Sequence, residues 1–249
     1  MERRQLLKSL MAAPIATAGL SSFGSLANVL SSTNNQNHNK VLINAKNAFN
    51  QALEKNPHLI GFSSVEDDFN LKKMRLEGEL PNDLKGAFYR NGPAKNERGD
   101  KRYLHMFEGD GMVHSFNFEN GEIYHQGRFI QTSKFKQEQL AGEFLYSGLD
   151  SRLDNPLIVP NPDVINTANT NIIPVGNDLW ALWEGGSATV LSADSLHTKH
   201  LVNLGVGSKY GDKLKGLNFS AHPKIEANGD IWNFGLAPSG HIALFHLNA

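Results

Sequence analysis

The sequence predicts an all-β protein made of several small antiparallel sheets, preceded by an export signal and a short helix. From Leu76 onward the chain consists of short β-rich runs separated by turn dipeptides. Hairpin signals recur at Asn120-Gly121, Asn177-Asp178 and Asn228-Gly229, at spacings of 57 (177 − 120) and 51 (228 − 177) residues. This spacing is close to the length of one four-stranded β-propeller blade, so the chain has room for about three to four blades.

The first 27 residues are similar to a twin-arginine export signal. The pair Arg3 and Arg4 precedes an apolar stretch that is diluted by Pro14, and Ser25 to Ala27 are small residues of the kind that a signal peptidase prefers. We therefore expect residues 1–27 to be a signal peptide, and the protein to be periplasmic or extracellular in a bacterium.

A polar linker and one amphipathic helix are expected next. Residues 28–40 are polar and of low complexity, with little apolar surface to bury. The helix that follows is expected to end at Asn56-Pro57, because the residue before a proline is disfavoured in a helix. Its apolar positions fall on one face: Leu42, Ala45, Phe49 and Leu53.

The composition excludes disulfides, thiolate metal sites and cysteine nucleophiles. The chain has no cysteine, so a metal must be held by imidazole, carboxylate or carbonyl groups. Removing residues 1–27 takes three basic residues and one acidic residue from totals of 24 and 25, which leaves 21 and 24 and a net charge of −3. A faintly acidic chain argues against nucleic acid as a partner.

Four blocks resemble the carotenoid cleavage oxygenase family, which includes the lignostilbene dioxygenases and a retinal pigment epithelium isomerase. The resemblance runs from about Leu76 to the C-terminus, and the blocks occur in the family's order. They read LEGELPNDLKGAFYRNGP, HMFEGDGMVHSFNFENGEIYHQGRFIQTSKF, NTANTNIIPVGNDLWALWEGG and NFSAHPKIEANGDIWNFG.

The resemblance implies a seven-bladed β-propeller with a non-haem iron(II), Fe(2+), on its axis, held by four histidines. Residues 41–249 would form the N-terminal half of such a propeller. The implied activity is a dioxygenase that uses O2 to cleave one double bond of a carotenoid, apocarotenoid or stilbene-type substrate, giving two carbonyl products. The substrate would be a hydrophobic conjugated molecule.

By position, the resemblance also implies roles for three residues. His222, before a proline in AHPK, matches the first iron ligand; Glu184 matches a glutamate that accepts the outer N–H of a ligand histidine; Thr170 matches a position beside the vacant coordination site. Other interpretations stay open from the residues alone. A lone histidine is usually a surface or packing residue, a glutamate at a strand end is usually solvated, and threonine favours strands.

Other candidates are weaker. The stretch EGDG, Glu108 to Gly111, lacks the third glycine of a dinucleotide loop, so we expect a hairpin turn at Asp110-Gly111. His197 and His200 lie in a polar segment that we expect to be a solvated loop. The family places no ligand at three further histidines in the matched blocks: His105, His114 and His125.

One apolar segment bears on the substrate. In KFKQEQLAGEFLYSG, five apolar residues are interleaved with lysines, and in relatives this region covers the mouth of the substrate tunnel and can enter lipid. The sequence therefore suggests a peripheral membrane contact, although packing on the top of the propeller explains the pattern equally well. The five residues are Phe135, Leu140, Phe144, Leu145 and Tyr146.

The resemblance places the other three iron ligands after Ala249. His241 and His246 cannot replace them, because residues five apart in a strand face opposite sides. We therefore expect a fragment, a truncated reading frame or half of a split assembly that is inactive without the missing C-terminal half. Two alternatives from other classes are a non-catalytic β-propeller interaction module and a metal-dependent propeller hydrolase.

Overall fold

The computed structural model describes residues 37–206, 209–214, 217–236 and 240–249. The predicted signal peptide, residues 1–27, lies outside the described residues, as does most of the predicted linker. Within the described residues the chain is mostly β, with two α-helices. Neither helix of this described part is both long and apolar enough to cross a membrane.

The helices are α1 (His38–Lys55) and α2 (Ser133–Ala141), and 3-10 turns cover Pro57–Phe62, Met106–Glu108, Pro162–Ile165 and Gly211–Leu214. The strands are β1 (Phe69–Lys73), β2 (Gly86–Lys95), β3 (Glu97–Arg98), β4 (Lys101–Arg102), β5 (Asp110–Glu119), β6 (Glu122–Phe129), β7 (Asn171–Val175), β8 (Asp178–Leu182), β9 (Thr189–Ser192), β10 (Thr198–Leu201), β11 (Lys224–Ile225), β12 (Ile231–Leu236) and β13 (Ile242–Leu247).

Helix α1 confirms the predicted amphipathic helix. It begins at His38, inside the stretch assigned to the linker, because the side chain of Asn37 accepts a hydrogen bond from the backbone N–H of Lys40 at 2.8 Å. It ends before Asn56, as expected from the proline that follows. The apolar face buries Leu42 completely.

The strands form three main antiparallel sheets and one two-stranded ribbon. The first sheet has the order β1-β6-β5-β2, the second β10-β9-β8-β7, and the third β11-β12-β13. The second and third sheets are built from consecutive strands joined by hairpins, whereas in the first sheet only β5 and β6 are both neighbours and consecutive. The segments between β6 and β7, and between β10 and β11, carry the chain from one sheet to the next.

Two of the three predicted hairpin turns are confirmed, and one is displaced. Asn120 and Gly121 both have positive φ, 52° and 75°, and join β5 to β6 in a tight turn. Gly229, with φ of 92°, lies in the turn between β11 and β12. The prediction at Asn177-Asp178 was wrong by one residue, since Val175 pairs with Asp178 and the loop is Gly176-Asn177.

The hairpin turn predicted at Asp110-Gly111 is also wrong, because both residues begin strand β5. Position 111 requires a glycine because the backbone of β5 lies very close to that of Thr167 and Ala168. A Cβ at position 111 would lie 2.5 Å from the carbonyl oxygen of Ala168 and 2.7 Å from that of Thr167. Gly111 instead donates its backbone N–H to Thr167 O at 2.9 Å.

The solvated loop predicted around His197 and His200 is wrong in part. Thr198 to Leu201 form β10, the edge strand of the second sheet, although both histidines are exposed. His246 lies on β13 and its Nε2 is 2.9 Å from Asp230 Oδ2. The histidines of this region therefore sit on strands or at their ends.

Apolar side chains fill the space between successive sheets. Residues from the first and second sheets, including Val113, Leu179 and Leu191, form one buried cluster. Phe219, Ile231 and Phe245 form a second cluster with residues of β7 and β8.

The opposite face of the third sheet is open. Trp232 and Phe234 on β12 are 44% and 48% exposed, and Leu244 on β13 is 78% exposed.

Candidate metal centre

The segment that carries His222 is fixed by its neighbours on both sides. Phe219 is buried in the second apolar cluster, and its backbone N–H donates to Gly186 O at 3.1 Å. Ser220 donates its backbone N–H to Phe234 O on β12 at 3.0 Å. The side chain of His222 is 67% exposed, so the imidazole points outward from a segment that is hydrogen-bonded on both sides.

Gly235 allows this segment to lie against β12. A Cβ at position 235 would lie 1.7 Å from Asn218 O, which no side chain can tolerate without moving the backbone. The position of the chain just before His222 therefore depends on a glycine in the neighbouring strand.

His222 and Glu184 are in contact. Glu184 follows the end of β8, and its Oε1 lies 2.7 Å from His222 Nε2. The side chain of Glu184 is 49% exposed, so the pair lies at the surface of the described chain. When the ring proton is on Nε2, the lone pair of Nδ1 is the one left to bind a metal.

The second oxygen of Glu184 is held by the segment that carries the histidine. Ser220 Oγ donates to Glu184 Oε2 at 3.0 Å, and the backbone N–H of Ala221 lies 3.3 Å from the same oxygen. Ser220 Oγ also accepts from the backbone N–H of His222 at 3.3 Å. Both carboxylate oxygens of Glu184 therefore have defined partners.

Asparagine side chains tie the strands around the pair together. Asn91 on β2 donates to Asn171 O at 2.9 Å, and Asn171 on β7 donates to Ala221 O at 2.8 Å. Asn233 on β12 donates to Ser220 O at 2.7 Å. These bonds link the first sheet to the second, and the second and third sheets to the segment that carries His222.

Thr170 lies immediately before β7. Its backbone N–H donates to Leu182 O at 3.0 Å. Thr170 therefore lies opposite the last residue of β8, which is two residues before Glu184 in the chain. Its hydroxyl donates to Asn169 Oδ1 at 3.1 Å, and the side chain is exposed. The role predicted for Thr170 stays a prediction, as do those of His222 and Glu184.

The residues around His222 fit part of a metal site. In the described part of the chain, no cluster of three or more His, Cys, Asp or Glu side chains could hold a metal ion. What the chain supplies is one outward imidazole with one carboxylate in contact with it. A neutral imidazole in contact with a carboxylate is a type of donor that transition-metal sites use.

A second group of charged side chains is closed to solvent. Arg98 and Lys134 each contact both Asp110 and Glu138, at distances between 2.7 and 3.3 Å, and all four side chains are at most 5% exposed. Burial alone would lower the pKa of Lys134, but Asp110, Tyr103 and Glu138 raise it well above its usual range. The cluster connects α2 to β3 and β5.

Two histidines outside the pair also contact each other. His114 Nδ1 and His125 Nε2 are 2.9 Å apart on adjacent strands of the first sheet, and the rings are parallel. Burial lowers the pKa of both rings, and His125 and Arg90 lower that of His114 further. The two rings form a packing pair, with Phe69 against both and Phe116 stacked on His125.

The sequence did not reveal Ser220, Asn171 or Asn233 as residues of the site. Each is a small polar residue whose partner is a backbone or carboxylate group far away in the chain. Of the three, only Ser220 could have been suggested by the sequence, because it lies two residues before His222.

Comparison with known proteins defines the class. Residues 62–248 match the family model described as retinal pigment epithelial membrane protein. The chain therefore belongs to the retinal pigment epithelial membrane protein family, the family of the carotenoid cleavage oxygenases, which confirms the resemblance seen in the sequence blocks.

Individual relatives agree with this assignment. The chain is 38% identical over 172 residues to apocarotenoid-15,15'-oxygenase of Synechocystis sp., covering 68% of this chain and 34% of the relative. It is 33% identical over 168 residues to lignostilbene-alpha,beta-dioxygenase isozyme III of Sphingomonas paucimobilis, covering 67% and 33%. The matched region thus spans about a third of the length of these relatives.

The fold agrees as well. The cobalt-substituted apocarotenoid oxygenase of Synechocystis has a TM-score of 0.61 to this chain at 31% identity, covering 77% of this chain and 44% of that chain.

Proposed function

We propose that this chain is the N-terminal part of a non-haem iron(II) dioxygenase that cleaves a carbon-carbon double bond of a carotenoid, apocarotenoid or stilbene-type substrate. The contact between His222 and Glu184, made at strand ends within the family match, carries the proposal. Membership of a family whose relatives include an apocarotenoid oxygenase and a lignostilbene dioxygenase supports the reaction class.

His222 would be one of four imidazole ligands, and the remaining three would come from the part of the propeller that this chain does not contain. Bound iron(II) would supply the activation of dioxygen for alkene cleavage. The chain's own contribution is to hold the imidazole at a fixed angle and in one tautomer. Glu184 does this through its contact with Nε2, and a carboxylate partner also raises the basicity of the ring.

The rest of a seven-bladed propeller would cover the open face of the third sheet. Trp232, Phe234 and Leu244 form an exposed apolar surface on paired strands, which is the kind of surface that a neighbouring blade buries. The missing part would therefore complete both the apolar core and the ligand set.

Helix α2 and the loop after it would form cover near the mouth of a substrate tunnel. Phe135, Phe144 and Tyr146 are buried, so much of the predicted apolar segment packs on the protein itself. Leu140 is 92% exposed and remains available for a hydrophobic substrate or for peripheral membrane contact.

Export by the twin-arginine route is part of the proposal. Residues 1–30 fused to a reporter should deliver the reporter outside the cytoplasm only when Arg3 and Arg4 are intact. Unchanged export after both arginines are replaced by lysine would contradict this.

The test of the reaction uses an assembled protein. The chain is co-expressed with, or fused to, the C-terminal part of the Synechocystis apocarotenoid oxygenase that it does not match, and the products from an apocarotenoid and a stilbene are analysed. We expect two carbonyl products that disappear in His222→Ala. The matched control is His246→Ala, since His246 also bonds a carboxylate through Nε2, at 2.9 Å, but lies outside the site. A folded assembly that cleaves neither substrate would contradict the proposal.

A further inference from the structure

The peptide bond between Ala221 and His222 is held by the side chain of Asn171. Asn171 Nδ2 donates to the carbonyl oxygen of Ala221 at 2.8 Å. Ala221 is completely buried, so water has little access to replace this bond. The carbonyl of Ala221 and the N–H of His222 belong to one planar unit, so a bond to the first also restrains the second.

Other restraints on the direction of His222 are weak. Its side chain is 67% exposed, so packing contacts cover only a minor part of the ring. Its backbone N–H donates to Ser220 Oγ at 3.3 Å, which is long for a hydrogen bond. The next residue is Pro223, which has no N–H with which to anchor the following peptide. Of the two hydrogen bonds to the Ala221–His222 peptide in the described part of the chain, the one from Asn171 is the shorter.

Asn171 is itself held in place by three interactions. It is the first residue of β7, where it pairs with Leu182 of β8. Its Oδ1 accepts the backbone N–H of Ile172 at 2.8 Å, which leaves Nδ2 to face Ala221. Its backbone carbonyl accepts from Asn91 Nδ2 at 2.9 Å. The carboxamide of Asn171 therefore has a fixed position and a fixed orientation.

A second asparagine acts one peptide earlier in the chain. Asn233 on β12 donates to the carbonyl oxygen of Ser220 at 2.7 Å. Side chains from the second and third sheets thus hold two consecutive carbonyl groups. Asn171 holds the peptide that includes the nitrogen of His222, so its loss should change the direction of the imidazole more directly than the loss of Asn233.

We propose that Asn171 is a positioning residue for the metal-binding imidazole of His222, acting through the carbonyl of Ala221. Both hydrogen bonds of its carboxamide go to backbone atoms, so its effect is on the direction in which the chain presents the ring. The inference rests on the proposed function for its metal, but the contact itself can be tested in the chain as it stands.

The test observes this single peptide by NMR. The sequence contains one Ala-His pair, so the full chain labelled with carbonyl-13C alanine and 15N-histidine gives one correlated signal, that of the Ala221–His222 peptide. In Asn171→Ala the carbonyl signal should move, and the order parameter of the N–H should fall from about 0.85, typical of rigid backbone, to below about 0.6. Asn171→Asp keeps the shape but replaces the donor by an acceptor, and should give the same result.

The matched control is Asn166→Ala. Asn166 Nδ2 donates to Ser187 O at 2.8 Å and its Oδ1 accepts the N–H of Ala168 at 2.9 Å, so its carboxamide makes the same two kinds of bond. Because Asn166 is completely buried, this variant should lower the thermal unfolding midpoint at least as much as Asn171→Ala, while leaving the Ala221–His222 signal in place. An unchanged signal in both Asn171 variants, or an equal change in Asn166→Ala, would overturn the proposal.

A second measurement separates this inference from the proposed function. In the assembled protein, Asn171→Ala should weaken iron binding by about 10-fold, as the loss of a group that holds a ligand typically does, and Asn166→Ala should leave it unchanged. Equal iron affinity in the wild type and in Asn171→Ala would overturn the positioning role and leave the dioxygenase proposal intact. A wild-type assembly that binds no iron, with a peptide signal that responds as described, would overturn the dioxygenase proposal and support the role of Asn171 in placing His222.

Discussion

Glu138 and Glu184 show how the same side chain is used in two ways in one protein. Glu138 is fully buried, and its oxygens are shared among Arg98, Lys134, Tyr103 and the backbone of the following loop. Glu184 is 49% exposed, and one of its oxygens faces an imidazole that points outward. A carboxylate whose partners all lie inside the protein holds structure, whereas we propose that the exposed carboxylate of Glu184 belongs to a ligand site.

Breaking the buried cluster of charged side chains around Glu138 should have the largest effect on stability. Glu138→Gln removes a buried anion and leaves Arg98 and Lys134 with half of their neutralising charge, so the free energy of unfolding should fall by about 3–5 kcal/mol. Denaturant titration measures this. Glu143→Gln is the control, because Glu143 is 59% exposed and lies 4.0 Å from Lys101. A loss for Glu138→Gln as small as that of the control would mean that the cluster does not hold α2.

The position of the exposed pair His222 and Glu184 depends on the close contact between Gly235 and the segment before His222. Gly235→Ala would force Asn218 away from β12 and should lower the free energy of unfolding by about 1–3 kcal/mol, as overpacking does. It should also shift the NMR signals of the His222 ring. Gly92→Ala, at a strand glycine where a Cβ meets nothing within 4 Å, is the control. Equal effects of the two variants would show that the segment before His222 is not set by this contact.

A third arrangement, the partly buried pair His114 and His125, should give the fold a pH dependence. Burial lowers the pKa of both rings in the folded state, so the unfolded chain binds protons more readily. Stability should be full above the unfolded value of about 6.5 and should decline as the pH falls through it.

The slope of stability against pH between about 7 and 5 measures this effect. It should flatten in the double variant His114→Gln/His125→Gln and should be unchanged in His200→Gln, whose ring is exposed. A slope that stays the same in the double variant would assign the pH dependence to other groups.

The smallest effect on stability is expected for Glu184. Because the pair with His222 is half-exposed, Glu184→Ala should change the free energy of unfolding by less than about 1 kcal/mol. The same denaturant titration compares it directly with Glu138→Gln. A cost for Glu184→Ala as large as that for Glu138→Gln would mean that Glu184, too, is a structural carboxylate.

The two carboxylates also differ in whether the sequence predicted their roles. Local patterns predicted helix α1 and the Asn120-Gly121 hairpin, because capping and turn chemistry depend on neighbouring residues. The resemblance pointed to His222 and Glu184, which lie 38 (222 − 184) residues apart and meet in the structure.

The buried cluster was not foreseen. Charged residues are usually exposed, and Arg98, Asp110, Lys134 and Glu138 neutralise one another only after α2 folds onto β5. The Asp110-Gly111 prediction failed for the same reason. Position 111 is a glycine because a side chain there would clash with the carbonyl groups of Thr167 and Ala168. These residues are distant in the chain, so no local sequence pattern indicates the contact.

The iron content of the assembled protein tests the central claim most directly. In the wild type we expect about one iron per assembly, as for a single centre built on imidazole ligands. His222→Ala should abolish iron binding while the assembly stays folded, Glu184→Gln should weaken it by about 10- to 100-fold, and His246→Ala should leave it unchanged. A folded His222→Ala assembly that retains its full complement of iron would contradict the claim that His222 binds the metal.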